Sequence, residues 1–86
     1  MSISITVRYF AALREQLGLA HERVGIEVDG ASLADLMAAL SRRHGAAAEA
    51  LRSPRLRVAR NRAFVDGNFL LSDGDEIAFL PPVTGG

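Results

Sequence analysis

The chain has no cysteine and no lysine among its 86 residues. Without cysteine it can form no disulfide, no thiolate metal site and no cysteine nucleophile. Without lysine it has no residue for Schiff-base chemistry and no side-chain amine for isopeptide attachment, and all ten basic residues are arginine. These absences exclude several classes of enzyme before any motif is considered.

The chain also lacks an excess of charge and a long hydrophobic run. Ten basic residues balance ten acidic ones, which gives no overall attraction to nucleic acid or anionic lipid. No apolar stretch approaches the roughly 20 residues that a membrane-spanning helix needs, and the N-terminus has no signal-peptide pattern. Because 49% of the residues are hydrophobic, we expect one domain with a single core. We expect it to be cytoplasmic and to bind neither nucleic acid nor membranes.

Alternating apolar and polar residues predict two N-terminal strands. Ile3–Tyr9 alternates without a break, and residues 22–28 alternate again before the turn signal Asp29-Gly30. Between them, residues 11–17 are good helix formers that end at Gly18, so they predict a short helix.

The main helix is predicted over residues 33–44. Ser32 is a good N-cap, Asp35 suits the positive end of the helix dipole, and Gly45 is the predicted stop. The apolar residues recur at helical spacing: Leu33, Leu36, Met37 and Leu40. We interpret this stripe as core packing, and residues 46–51 as a further turn or two.

Three more strands are predicted in the C-terminal half, over residues 56–60, Ala63–Val65 and Glu76–Leu80, with Asp-Gly turn signals between the last two. Strands around one dominant helix predict an α+β domain with a mixed sheet packed on that helix.

Three polar groupings are candidate sites. The carboxylates of Asp73, Asp75 and Glu76 lack the ligand spacing of a calcium loop, so we interpret them as a solvated turn. His21 and His44 are predicted to be surface residues with no catalytic partner. Five arginines between residues 52 and 62 predict a solvated face, with complementarity to an acidic partner as the alternative.

Strand alternation predicts an apolar patch on the outer face of the sheet. If Ile77 and Phe79 point into the core, Ala78 and Leu80 point outward. By the same reasoning Phe10 points outward, unless the first helix covers it. Either Phe64 or Val65 must also point outward. We therefore predict a partner interface with the following members: Phe10, Phe64, Ala78 and Leu80.

The last six residues predict an extended arm. Pro81 and Pro82 cannot continue a sheet ladder and stiffen the chain as it leaves the last strand. Val83, Thr84, Gly85 and Gly86 then follow without a charge. Glycine has no Cβ, so a Gly-Gly end can enter a channel too narrow for other residues. A frayed terminus is the alternative.

The segment from Asp73 to Gly86 resembles the C-terminus of the small, sulfur-carrying subunit of molybdopterin synthase. Tyr9-Phe10-Ala11 and Leu13-Arg14-Glu15 are similar to that family as well, and the resemblance covers essentially the whole chain. It implies a ubiquitin-like β-grasp domain over residues 1–80 and a reactive tail over residues 81–86.

The resemblance also implies a function. An adenylating enzyme of the ubiquitin-activating type would use ATP to join the Gly86 carboxylate to AMP, and a sulfur donor system would convert it to a thiocarboxylate. The tail would then enter the large synthase subunit, in a heterotetramer, and pass sulfur to cyclic pyranopterin monophosphate to build the molybdopterin dithiolene. The chain itself would be non-catalytic and bind no cofactor or metal.

Three alternatives stay open. They are a sulfur carrier of the thiamine pathway, a ubiquitin-like modifier attached to proteins through Gly86, and an interaction domain whose tail has no role. The Phe79-Leu80-Pro81-Pro82-Val83-Thr84 run favours the molybdopterin carrier.

Overall fold

The computed structural model describes residues 2–27 and 30–81 of the chain. In chain order the elements are β1 (Ile3–Tyr9), α1 (Ala12–Leu17), β2 (His21–Ile26), α2 (Leu33–His44), a 3₁₀ helix (Gly45–Arg52), β3 (Arg57–Arg60), β4 (Ala63–Val65) and β5 (Glu76–Leu80). Each predicted helix and strand is present. The predicted continuation of β2 to Val28 and the turn residue Asp29 lie outside the described residues, as do residues 82–86 of the tail.

The five strands form one mixed sheet in the order β2-β1-β5-β3-β4. The central pair β1 and β5 is parallel, whereas β1 with β2, β5 with β3, and β3 with β4 are antiparallel. Parallel neighbours need a long crossover, and the connection from β1 to β5 contains α2. The predicted α+β arrangement of a mixed sheet on one main helix is confirmed.

The core lies on one face of the sheet, beneath α2. Alternation along β1 buries Ile5 and Val7 completely, and the same alternation along β5 buries Ile77 and Phe79. Leu36 and Leu40 are the fully buried residues of the α2 stripe, so this stripe is core packing as predicted. Each large side chain of this kind contributes about 1.5–3 kcal/mol on burial.

Local signals define the helix ends. The Ser32 hydroxyl accepts from the Asp35 N–H at 3.4 Å, and the Asp35 carboxylate accepts from the Ser32 N–H at 2.8 Å, which is a capping box. Gly18 ends α1 in the left-handed region with φ of 77°, where a residue with a Cβ is strained. Within residues 2–27 and 30–81, α2 packs on one face of the sheet and no helix covers the opposite face.

Candidate functional site

The outer face of the sheet carries a row of residues that crosses four strands. Arg8 of β1 is paired with Ala78 of β5, Ala78 with Ala59 of β3, and Ala59 with Phe64 of β4. Two alanines in the middle of the row have larger side chains on both sides. A depression therefore forms over the alanines.

This depression is open, has a volume of about 310 Å³, and is bordered by all four residues of the predicted partner interface: Phe10, Phe64, Ala78 and Leu80. Phe10 is 42% exposed and Phe64 is 59% exposed. The alternative in which α1 covers Phe10 is therefore wrong. Ala78 is only 8% exposed, so it forms the floor of the depression while the two phenylalanines form its walls.

The exposed phenylalanines are unusual for this chain. Within the part that the structure describes, the exposed large hydrophobic residues are Phe10, Phe64 and Leu70, and two of the three lie at the depression. An exposed apolar patch with a polar rim is typical of an interaction site. A broader groove of about 560 Å³ lies elsewhere and has neither aromatic nor converging charged residues; it is lined by Gln16, Ala46, Ala47, Glu49 and Ala50.

Charged residues lie at the rim of the depression, a position that was not predicted for them from the sequence. The Arg8 Nε donates to the Glu76 carboxylate at 2.6 Å, and Arg62 also borders the depression. The guanidinium carbon of Arg57 lies 4.2 Å from the centre of the Phe64 ring, within cation–π range. Arg8 lies two residues before Phe10, and Glu76 lies two residues before Ala78, so strand alternation in the sequence already places both charged residues on the outer face. The positions of Ala59 and Arg62 at the depression follow from the pairing of β3 with β4 and β5, which cannot be predicted from the sequence.

The prediction of a solvated turn at residues 73–76 is wrong for Asp75, which is 6% exposed. Its carboxylate accepts from the Ser72 N–H at 2.9 Å, from the Asn61 amide at 3.0 Å and from the Arg60 guanidinium at 2.8 Å. Burial alone raises the pKa of Asp75, but these donors outweigh burial and lower it overall. The site is a structural clamp that joins the start of β5 to the β3–β4 turn.

The arginine-rich segment is accordingly not a uniform solvated face. Arg60 is bound to Asp75, and its guanidinium carbon lies 5.2 Å from the centre of the Phe69 ring. Arg52 lies 3.8 Å from Glu49 in an exposed pair. Of the five arginines, Arg62 borders the depression and Arg57 stacks on Phe64 at its wall.

A second buried polar cluster surrounds Glu22, and it corrects the prediction that His44 is a plain surface residue. The Tyr9 hydroxyl donates to Glu22 at 2.6 Å, Arg43 donates at 2.8 Å, and the His44 Nε2 lies 2.6 Å from the same carboxylate. The His44 side chain is 14% exposed, whereas His21 is exposed as predicted.

The charge of Glu22 is stabilised by its neighbours. Burial by itself raises the pKa of Glu22, but the hydrogen bonds from Tyr9, Arg43 and His44 prevail and lower it. Burial, and then the bond to Glu22, raises the pKa of Tyr9. Both carboxylate oxygens of Glu22 have hydrogen-bond partners. We therefore interpret the cluster as a structural connection between the end of α2 and strands β1 and β2, and not as a catalytic group.

The depression lies where the chain leaves β5. Leu80 is the last residue of that strand and borders the depression, and Pro81 is the last described residue. The predicted tail residues Pro82, Val83, Thr84, Gly85 and Gly86 lie outside the described residues. Within residues 2–27 and 30–81, no group of three or more His, Asp or Glu residues is placed to hold a metal ion. No helix in these ranges has the length and hydrophobicity to cross a membrane.

A mixed five-stranded sheet with this strand order, packed on one main helix, defines the ubiquitin-like β-grasp class, which is the fold that the family resemblance implied. The chain belongs to the ThiS family, whose family model matches residues 7–86. The match covers the end of β1, the other four strands and the tail.

Individual relatives agree with the predicted resemblance. The chain is 41% identical over 83 residues to the molybdopterin synthase sulfur carrier subunit of Escherichia coli. The aligned region covers 95% of this chain and 99% of that protein. Its fold is similar to the small archaeal modifier protein 1 of Haloferax volcanii, with a TM-score of 0.76 and 30% identity over 94% of this chain and 99% of that one. It is also similar to a chain in a complex of subunits 1 and 2 of molybdopterin-converting factor from Helicobacter pylori. That TM-score is 0.63, with 28% identity, and the similarity covers 98% of this chain and 100% of that one.

Proposed function

We propose that this chain is the sulfur-carrier subunit of a molybdopterin synthase. The observation that supports this most directly is the position of the depression, which borders Leu80 at the root of the C-terminal tail. A partner that docks on the depression would receive the tail at the same time. The 41% identity to a molybdopterin synthase sulfur carrier subunit supports the same assignment.

The proposed reactive group is the main-chain carboxylate of Gly86. An adenylating enzyme joins it to AMP with release of pyrophosphate from ATP, because a free carboxylate is a poor acyl electrophile. A sulfur donor system then displaces AMP and leaves a thiocarboxylate. Gly85 and Gly86 have no Cβ, which suits a narrow channel, and Pro81-Pro82 reduces the number of tail conformers that binding must order.

In this proposal the chain is a non-catalytic partner, and the catalytic side chains belong to other proteins. Each step requires the reacting atom of the Gly86 terminus to lie about 3–3.5 Å from its partner atom. A large synthase subunit, in a heterotetramer, holds the thiocarboxylate against cyclic pyranopterin monophosphate. In each of two transfers the sulfur bonds to the pterin, and water then hydrolyses the acyl–sulfur bond and restores the Gly86 carboxylate, so that the two sulfurs build the dithiolene. The Helicobacter pylori complex supports a second, different subunit as the partner. We place these steps in the cytoplasm, because activation consumes ATP.

The proposal is tested by intact-mass measurement. The purified chain is incubated with its adenylating enzyme, ATP and a sulfur source, and the expected product has one oxygen of the Gly86 carboxylate replaced by sulfur. Omission of ATP is the matched control and must leave the mass unchanged. Adding the large subunit and the cyclic pterin should return the mass to that of the carboxylate while the dithiolene forms. A chain that stays at its original mass with all components present contradicts the proposal.

A second candidate function is protein modification through Gly86. It is favoured by the similarity to the small archaeal modifier protein 1 at 30% identity. An epitope-tagged chain expressed in its own cells distinguishes the two functions. Covalent conjugates of higher mass that require Gly86 would support modification, whereas a tagged chain found only with the large synthase subunit supports the carrier.

A further inference from the structure

The turn between β3 and β4 has an arginine where the backbone favours glycine. Arg60 is paired with Ala63, so Asn61 and Arg62 form a two-residue hairpin turn. Their φ angles are 48° and 73°, both in the left-handed region. A two-residue turn with two positive φ angles favours Asn followed by Gly, since a Cβ is strained at these angles. Arg62 therefore occupies the position that is most easily filled by glycine.

Among the described residues, the side chain of Asn61 has hydrogen-bond partners in the fold and that of Arg62 has none. The Asn61 side chain donates to Asp75 at 3.0 Å and accepts from the Glu76 N–H at 2.9 Å. Across residues 2–27 and 30–81, no hydrogen bond or salt bridge holds the guanidinium of Arg62. Instead, the side chain is exposed and borders the depression. Backbone strain without a structural gain indicates a functional role.

The charges around the depression favour an anionic group on the partner. The guanidinium groups of Arg8, Arg57 and Arg62 lie at or beside the depression, whereas Glu76 is the one acidic residue among its described lining residues. Glu76 is already bound to Arg8 at 2.6 Å. Arg57 stacks on Phe64. Arg62 is thus the cation best placed to form a new pair, and a guanidinium binds a carboxylate through two parallel hydrogen bonds.

We propose that Arg62 determines partner specificity by pairing with an Asp or Glu of the docked protein. That acidic residue would lie next to an apolar side chain of the partner, which enters the depression between Phe10 and Phe64. This inference rests on the proposed function, because it takes the depression as the docking face for the large synthase subunit. It adds the chemistry of the partner surface: an apolar projection with a carboxylate beside it.

The test measures the stability of two Arg62 variants and their affinity for the large subunit. In Arg62→Gly the strain is removed together with the charge, and in Arg62→Glu the charge is reversed. Arg55→Glu is the matched control, because Arg55 is exposed in the same arginine-rich segment and does not border the depression. Each chain is measured for its thermal unfolding midpoint and for its Kd with the large subunit, at low and moderate salt.

Arg62→Gly should keep or raise the unfolding midpoint and weaken binding by at least about fivefold, with a smaller dependence of Kd on salt. Arg62→Glu should weaken binding further, and Arg55→Glu should leave it within about twofold of the parent. Equal binding of Arg62→Gly and the parent at both salt concentrations overturns the inference and leaves the proposed function standing. A parent chain that neither binds the large subunit nor acquires sulfur overturns both.

Discussion

Ala59 and Ala78 are directly opposite each other in the pairing of β3 with β5, and both point to the outer face of the sheet. Each is 8% exposed. Their small side chains make the depression, because Arg8 and Phe64 continue the same cross-strand row on either side. The concave shape therefore depends on two methyl groups at the centre of the sheet.

Filling the depression should block docking without damaging the fold. Ala78→Leu adds three carbon atoms on the outer face, where about 310 Å³ is open. We expect affinity for the large subunit to fall by at least about tenfold, while the free energy of unfolding changes by less than about 1 kcal/mol. Titration calorimetry and urea unfolding measure the two quantities.

The control for this variant is Ala38→Leu, because Ala38 is exposed on α2, on the other side of the core. It should bind the large subunit as the parent does. Tight binding by Ala78→Leu would mean that the partner does not enter the depression.

The exposed phenylalanines should contribute to binding and not to stability. Phe64 is 59% exposed, and burying such a side chain against a partner contributes about 1.5–3 kcal/mol. Phe64→Asp should therefore weaken binding by at least about tenfold. Leu70→Asp is a matched control, since Leu70 is 65% exposed and does not border the depression. If both variants lose affinity equally, the effect is not specific to the depression.

Most of the fold was predictable because its signals are local. The alternation of Ile3–Tyr9 requires only neighbouring residues, and so does the capping box of Ser32 and Asp35. Strand alternation predicted that Phe10 points outward and that either Phe64 or Val65 does, and Phe10 and Phe64 form the two walls of the depression. These features are properties of single elements and do not depend on the order of the strands.

The polar clusters could not be predicted, because each joins residues from separate elements. Glu22 meets Tyr9 13 residues earlier and His44 22 residues later. Asp75 was predicted to lie in a solvated turn, but the pairing of β3 with β5 places Arg60 next to it. A carboxylate in a turn is normally hydrated, and only the tertiary structure supplies the donors that allow it to be buried.

The stability of the fold should depend on pH through Asp75. Its pKa in the folded chain is below the ordinary value of 3.8, so the stabilisation is fully present above that pH. It is lost as pH falls through the folded pKa, where the carboxylate takes up a proton. Asp75→Asn should lower the free energy of unfolding by about 2 kcal/mol at pH 7, since bonds to a charged group are lost.

Urea unfolding at pH 7, 5 and 3 measures this effect. The difference between parent and Asp75→Asn should be the same at pH 7 and 5 and smaller at pH 3. Asp66→Asn is the control, because Asp66 is an exposed carboxylate in a neighbouring loop, and it should match the parent throughout. A constant difference at all three pH values would mean that the charge of Asp75 is not the stabilising factor.

The position of the terminal carboxylate should be essential to sulfur transfer and irrelevant to folding. In the described chain the core residues extend only to Phe79, so one alanine added after Gly86 should leave the unfolding midpoint unchanged. The added Cβ and the displaced carboxylate should abolish thiocarboxylate formation, because reaction needs the carbon about 3–3.5 Å from its partner atom. A chain extended by one glycine at its N-terminus is the matched control and should acquire sulfur normally in the intact-mass assay. Full activity of the C-terminally extended chain would place the reactive group elsewhere.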